Sequence, residues 1–317
     1  MRRRDFLLRG GALAGMLLVQ GGCSRRQKLN LGMHPWVGYE SLYVADEFGW
    51  MPPAINVHKG EAASTSLQAL YKGTVDVAAL TLDELLVARD NGIPLSAILV
   101  FDVSAGADVV LGRPEIHSIS QLKSKRFGVE KSAVGELVLT AVLAKAGVKR
   151  SEISIIDLPA NMHLDAWQSG AIDVVITYEP TASHILNQGG SYLFDSKQMA
   201  DTIFDVLAVR ESFISSHASL LEELVAAHFK ALDHITVNHH DALYRMAGRH
   251  GVTVDEAKRA FKGVILPGID VNRSYLSPGS RMEASLIALI ELMSNSGLLK
   301  NAVAHEGILR PDFIPGA

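Results

Sequence analysis

The sequence predicts an α/β fold whose sheets are mostly parallel and flanked by helices. Three observations predict it. Strand-like apolar runs alternate with helix-like segments over the first two thirds of the chain. Several runs, such as "LSAILVFD" (95–102) and "IDVVITYEP" (172–180), are apolar almost throughout. That is the pattern of strands buried on both faces. Helical segments stop at glycines such as Gly49, Gly73 and Gly147, where a helix needs a residue at ease in the left-handed region.

The elements follow in order. Leu29–Met33 alternates and is apolar, a first strand, and a polar aromatic loop "HPWVGYES" leaves it. "LYVADEFGW" reads as a helix and Ile55–His58 as a second strand. "GEAASTSLQALYKG" is a loop and helix; "VDVAALTLDELLVARDNG" is a strand, a short polar turn and a helix; "LSAILVFD" is a buried strand. Ser118 and Gln121 form a capping box before a short helix. Strand Phe127–Val129 runs through the loop Glu130–Gly135 into helix Glu136–Lys145. "ISIIDL", "HLDAWQSG" and "IDVVITYEP" repeat the strand, helix, strand order. The last third is helical: "LLEELVAAHFKALDHITVNHHDALYRMAGRHG", a helix opened by the Thr253–Glu256 capping box, and "SRMEASLIALIELMSNSG". A helical tail after a mixed body is expected to pack back on an earlier lobe.

The amino terminus is of another kind. Four arginines precede an apolar run from about Gly10 to Gly22, then small residues lead to Cys23. The run is too short to span a bilayer comfortably and reads as an export signal over residues 1–23. Arg3-Arg4-Asp5-Phe6-Leu7 resembles a twin-arginine signal. Gly21-Gly22-Cys23 resembles a lipobox, although Gln20 stands where an apolar residue is usual. Cys23 is the one cysteine of the chain, so lipidation at a cleavage site explains it best. The competing reading is a soluble exported protein. With no second cysteine, a disulfide framework and a CxxC metal site are excluded.

The net charge is −4; residues 1–23 hold four Arg and one Asp, so the part from Ser24 onward carries −7. A mildly acidic body has no electrostatic footprint for nucleic acid. Gly128 and Gly135 are too far apart for a dinucleotide loop, and Glu136-Leu137 replaces the Lys-Ser/Thr of a P-loop. No G-x-S-x-G elbow or zincin motif appears, so the chain reads as a non-enzyme without cofactor. His228, His234, His239 and His240 lack the i, i+4 spacing that suits zinc and read as solvated helix faces.

Six stretches resemble one family together and in its order: "WVGYESLYVADEFGW", "KGTVDVAALTLDELL", "SAGADVVL", "FGVEKSAVGELVL", "SGAIDVVITYEP" and the helical tail. They are similar to substrate-binding proteins of ABC importers of the nitrate, sulfonate, taurine and thiamine-precursor type. The resemblance covers nearly all of the chain after Cys23. It implies a two-lobed periplasmic-binding-protein fold of type II with two crossovers. Lobe one would hold 29–109 and 209–317, and lobe two 111–208. It further implies a monomer at the periplasmic face of the envelope, lipid-anchored or free. There it would capture a small solute by hinge closure and deliver it to a permease and ATPase. A sensor coupled to a membrane signalling partner fits the same residues.

The site candidates lie at strand ends, where open α/β sheets bind ligands. Trp36 and Tyr39 could stack on a flat ligand or wall an apolar tail, or simply pack the loop. Ser64, Thr65 and Ser66 open a helix and could donate to an anion, or only cap. Ser132 and Gly135 belong to a second such helix start. Thr81, Asp83, Glu84, Asp108, Glu130, Thr177, Tyr178 and Glu179 come from separate segments that the fold would bring toward one cleft. The acidic members among them could instead serve only helix ends and the hinge. Helix ends favour a carboxylate, sulfonate or nitrate; the carboxylates favour an amine, amidine or nitrogen heterocycle. No Arg occurs at these turns and only Lys131 does, so a strong anion clamp is missing. The balance predicts a neutral or zwitterionic nitrogen-containing solute.

Overall fold

The computed structural model describes residues 28–131 and 133–316. The export signal, Cys23 and Ser132 therefore lie outside the described residues. Among the described residues, no helix is long and apolar enough to cross a membrane.

Two mixed sheets flanked by helices make two lobes. The first sheet contains β1 (Leu29–Met33), β2 (Ile55–Lys59), β3 (Val77–Thr81), β4 (Leu95–Ser104), β10 (Phe204–Arg210) and β11 (Val264–Ile265), in the order β11-β4-β10-β3-β1-β2. The second contains β5 (Val109–Gly112), β6 (Arg126–Val129), β7 (Ser154–Asp157), β8 (Val174–Thr177) and β9 (Ser191–Asp195), in the order β7-β6-β8-β5-β9. β1 pairs parallel with β2 and β3, and β6 with β7 and β8. The expectation of mostly parallel sheets holds for these units. Each sheet also takes in a strand that enters from the other lobe and runs antiparallel. β10 pairs antiparallel with β3 and β4, and β5 with β8 and β9.

Those two strands fix the crossovers. The boundary expected at 208/209 falls inside β10, whose whole length pairs in the first sheet, so the return crossing lies between Asp195 and Phe204. Likewise Val109, expected in lobe one, is already part of β5 in the second sheet. A strand cannot change sheets mid-ladder without losing its backbone partners. The crossing segments are tied to each other. Ser104 Oγ meets Ser196 Oγ at 2.7 Å, Gly106 N–H donates to Ser196 Oγ at 2.6 Å, and Ser196 N–H donates to the Asp108 carbonyl at 2.9 Å.

The helices that position the cleft are α1 (Glu40–Glu47), α2 (Ala63–Tyr71), α3 (Leu82–Asp90), α4 (Ala133–Ala146), α5 (His163–Gln168) and α6 (Thr181–Asn187). The polar turn expected after β3 is the first turn of α3: Thr81 is its N-cap, and Thr81 N–H donates to Glu84 at 3.0 Å. Beyond β10 the chain continues through α7 (Glu211–Ile214), α8 (Ala218–Val237), α9 (His239–His250), α10 (Val254–Ala260), α11 (Ile269–Leu276) and α12 (Arg281–Asn295). The long helical run thus breaks at Asn238. The tail packs on the first lobe, α8 on α1 and α11 on β4. His228 is not on a solvated face, as the sequence suggested: it is buried and meets Ser41 Oγ at 2.7 Å, because α8 turns that side toward α1. Burial lowers its pKa to about 3.

Candidate functional site

The carboxyl ends of the strands in both lobes face one another across a cleft, and side chains touch across it. Ser64 N–H, in the first turn of α2, donates to Glu130 Oε1 beyond β6 at 3.0 Å. The rings of Trp36 and Tyr178 meet edge to face at 5.1 Å between centroids. Near the rim His184 Nε2 lies 3.1 Å from Glu256, and Arg259 Nε–H donates to Ser183 Oγ at 3.2 Å.

Between these contacts lies an inner cavity of about 30 Å³, lined by His34, Trp36, Thr81, Glu84, Asp108, Glu130, Tyr178 and Asp205 among others. That is room for a water or two, or one small charged head. A neighbouring hollow of about 20 Å³ shares Asp108, Glu130 and Tyr178 and reaches Gly135 and Thr177. Neither is bordered by Lys or Arg among the described residues. A third cavity, about 210 Å³, opens outside the Trp36–Tyr178 pair.

The inner cavity is acidic: Glu84, Asp108, Glu130 and Asp205 border it. Asp83 and Asp102 are buried nearby without bordering it. Asp102 and Asp205 face each other across the β4–β10 ladder. Asp102 Oδ2 accepts from Trp36 Nε1–H at 3.0 Å, and Asp205 accepts from the Tyr39 hydroxyl. Glu84 Oε1, Thr81 Oγ1 and both oxygens of Asp83 have no hydrogen-bond partner among the described residues. Burial pushes Asp83 up to about 7, Glu84 to about 8, Asp102 to about 7 and Asp108 to about 6. For Glu84 the neighbouring Asp83 charge adds to this. Asp205 is raised too, by burial first and then by Asp102. Burial lowers His34 to about 4, so at neutral pH its ring is uncharged; its Nδ1 meets Ser66 Oγ at 3.1 Å. Carboxylates out of water without counter-charges keep their protons or find a cation.

Trp36, Thr81, Asp108, Glu130 and Tyr178 thus border the inner cavity, and Gly135 borders the adjoining hollow. A Cβ on Gly135 would stand 2.2 Å from the Glu130 carbonyl, so glycine there lets the first turn of α4 approach the loop. The other candidates stand elsewhere. Tyr39 is fully buried behind the cavity, where its hydroxyl holds Asp205. Asp83 borders none of the three cavities. Thr65 is exposed, since the helix turns it away from the cleft, and Ser64 contributes its backbone rather than its hydroxyl. Glu179 faces the outer cavity, where its carboxylate accepts from Ser183 N–H at 3.1 Å and Ser183 Oγ–H at 2.8 Å. His34, Asp102 and Asp205 were missed. A signal for Asp102 existed, a charge inside an otherwise apolar strand, but its meeting with Asp205 needs the crossover.

The NMT1-like family matches residues 23–247. The chain belongs to the NMT1-like family. This NMT1-like chain is 25% identical over 171 residues to the taurine-binding periplasmic protein of Escherichia coli, 53% of each chain. The match thus spans about half the length of that relative. Among solved structures, the ligand-binding component of an ABC-type import system from Staphylococcus aureus, determined with zinc bound, superposes with a TM-score of 0.75. It is 15% identical and covers 92% of this chain and 99% of that one. The periplasmic aliphatic sulphonate binding protein of Escherichia coli gives 0.73 at 17% identity, over 90% and 99%. At such identities these structures establish the fold: the NMT1-like chain has the two-lobed periplasmic-binding-protein architecture.

Proposed function

We propose that the protein is an extracytoplasmic solute-binding protein. It captures a small nitrogen-bearing solute between its lobes and hands it to an ABC permease and ATPase. The reading involves no turnover. The observation that carries it is buried Glu84, whose Oε1 has no partner among the described residues and which borders a cavity lined by carboxylates and, among the described residues, by no Lys or Arg. A ligand with N–H donors or positive charge supplies what these groups lack. The α2 helix start, where the sequence left room for an anion, already holds an acceptor, since Glu130 occupies its Ser64 N–H. The two lobes and the relatives' names support the transport role. The candidate ligand contacts are Trp36, Thr81, Asp108, Glu130 and Tyr178, joined by His34, Glu84 and Asp205.

A second reading, an anion binder, is favoured by the similarity to taurine- and sulphonate-binding proteins. One panel separates them. Thermal melting is recorded with amines, amidines, pyrimidine amines, taurine, alkane sulfonates and nitrate. A rise of several degrees for the nitrogen bases supports the first reading. A rise for an alkane sulfonate without nitrogen overturns it. For the amino terminus we propose an export signal and a lipidated Cys23. Fatty-acid labelling in cells that disappears in Cys23→Ser tests this.

A further inference from the structure

The inner cavity is too small for a whole nutrient, and the larger space lies directly outside it. Trp36 and Tyr178 are the two residues that border both. The outer cavity has polar groups at its rim, and several of these are engaged. Glu179 is held by Ser183, Glu256 by Thr253, and His250 Nε2 by Glu40 at 2.8 Å. Glu61, Asn161 and Thr181 also line the space, and beside them stands a continuous apolar group: Val37, Met246, Val252, Ala257 and Ala260. Met246, Ala257 and Ala260 are themselves buried, so this wall is built rather than a chance surface patch. The first lobe gives this wall, and the second gives Ala160 and Tyr178 opposite.

We infer that the two cavities form one divided site for an amphiphilic cation, with a compact nitrogen head beside Glu84, Asp108 and Asp205 and an apolar body against Val37, Met246, Val252 and Ala257. This rests on the nitrogen-ligand reading above and adds the ligand's second half. The Trp36 and Tyr178 rings then flank the bond between head and body. A compact cation fills only the inner space and leaves the apolar wall wet. A bodied one covers that wall and gains accordingly.

The test is calorimetric titration of the purified protein at pH 8 with two matched pairs, acetamidine against benzamidine and methylammonium against benzylamine. The expected result is that each ring-bearing member binds about 10- to 100-fold more tightly than its compact partner. Ala257→Phe, which fills the outer space, should remove most of that difference while leaving the compact member's heat unchanged. Because Ala257 is buried and this variant can fail to fold, Val252→Asn is the second variant, at a half-buried rim position; it should reduce the difference several-fold. Compact and ring-bearing members binding within about threefold of each other would overturn the divided site and leave the nitrogen reading standing. Binding of ethanesulfonate with no binding of any cation, or no binding of any probe at millimolar concentration, would overturn both.

Discussion

Neutralising Glu84 should make the protein more stable, and increasingly so as pH rises above about 4.5. The carboxyl is fully buried; Oε2 accepts from Thr81 N–H and Oε1 has no partner among the described residues. Glu84→Gln keeps the shape and can keep the bond to Thr81. Burial and the Asp83 charge raise the Glu84 pKa from an ordinary 4.5 to about 8. A carboxyl raised in this way keeps its proton in the folded state after the unfolded chain has released it. Wild-type stability therefore falls as pH rises from about 4.5 through 8. The full rise corresponds to about 4–5 kcal/mol once the group is ionised. Half ionisation at pH 8 takes only about 0.4 kcal/mol from this, while Asp83 readjusts beside it, so the expected gain in Glu84→Gln is on the order of 2–4 kcal/mol. At pH 5 the gain should be below about 1 kcal/mol. Urea unfolding of both proteins without ligand, at pH 5 and pH 8, measures this directly. Parallel pH profiles, or an equal loss at both pH values, would refute the idea that Glu84 is a buried acid without a counter-charge. The same variant should weaken the binding of benzamidine, so that stability and binding move in opposite directions, as they do at sites strained for function.

Other expectations bear on the walls and the closure. Gly38→Ala would place a Cβ 1.6 Å from Asp102 Oδ2 and 2.7 Å from Trp36 Nε1, and should cost about 1–3 kcal/mol in urea unfolding and disturb the inner cavity. Trp36→Phe removes the N–H that Asp102 accepts from; the loss, about 1–3 kcal/mol, should be larger at pH 8 than at pH 5, since the ionised carboxylate needs that donor most. Arg259→Ala releases the rim contact to Ser183, and stopped-flow mixing should show ligand leaving several-fold faster with little change in the association rate. An unchanged dissociation rate would mean that closure does not rely on this latch.

The alternation of strands and helices, the apolar strands and the capping residues Ser118 and Thr253 were legible in the sequence because they are local. Period and turn chemistry act over a few residues. Trp36, Thr81, Asp108, Glu130 and Tyr178 could be placed at strand ends by the same logic, and all five border the inner cavity. Which other groups join them was not legible. Asp102 and Asp205 are 103 positions apart and meet only because β10 returns to pair against β4. Thr65 and Ser66 are neighbours on one helix start, yet one is exposed and the other faces His34; helix rotation against its sheet decided that. The opposing demands of helix ends and carboxylates also stood open in the sequence. Tertiary structure answered by joining them: Glu130 crosses the cleft and takes the Ser64 N–H. A sequence states which residues can cap, pair or carry charge. Only the three-dimensional packing states which of those capacities are already used, and a binding site is built from the ones left over.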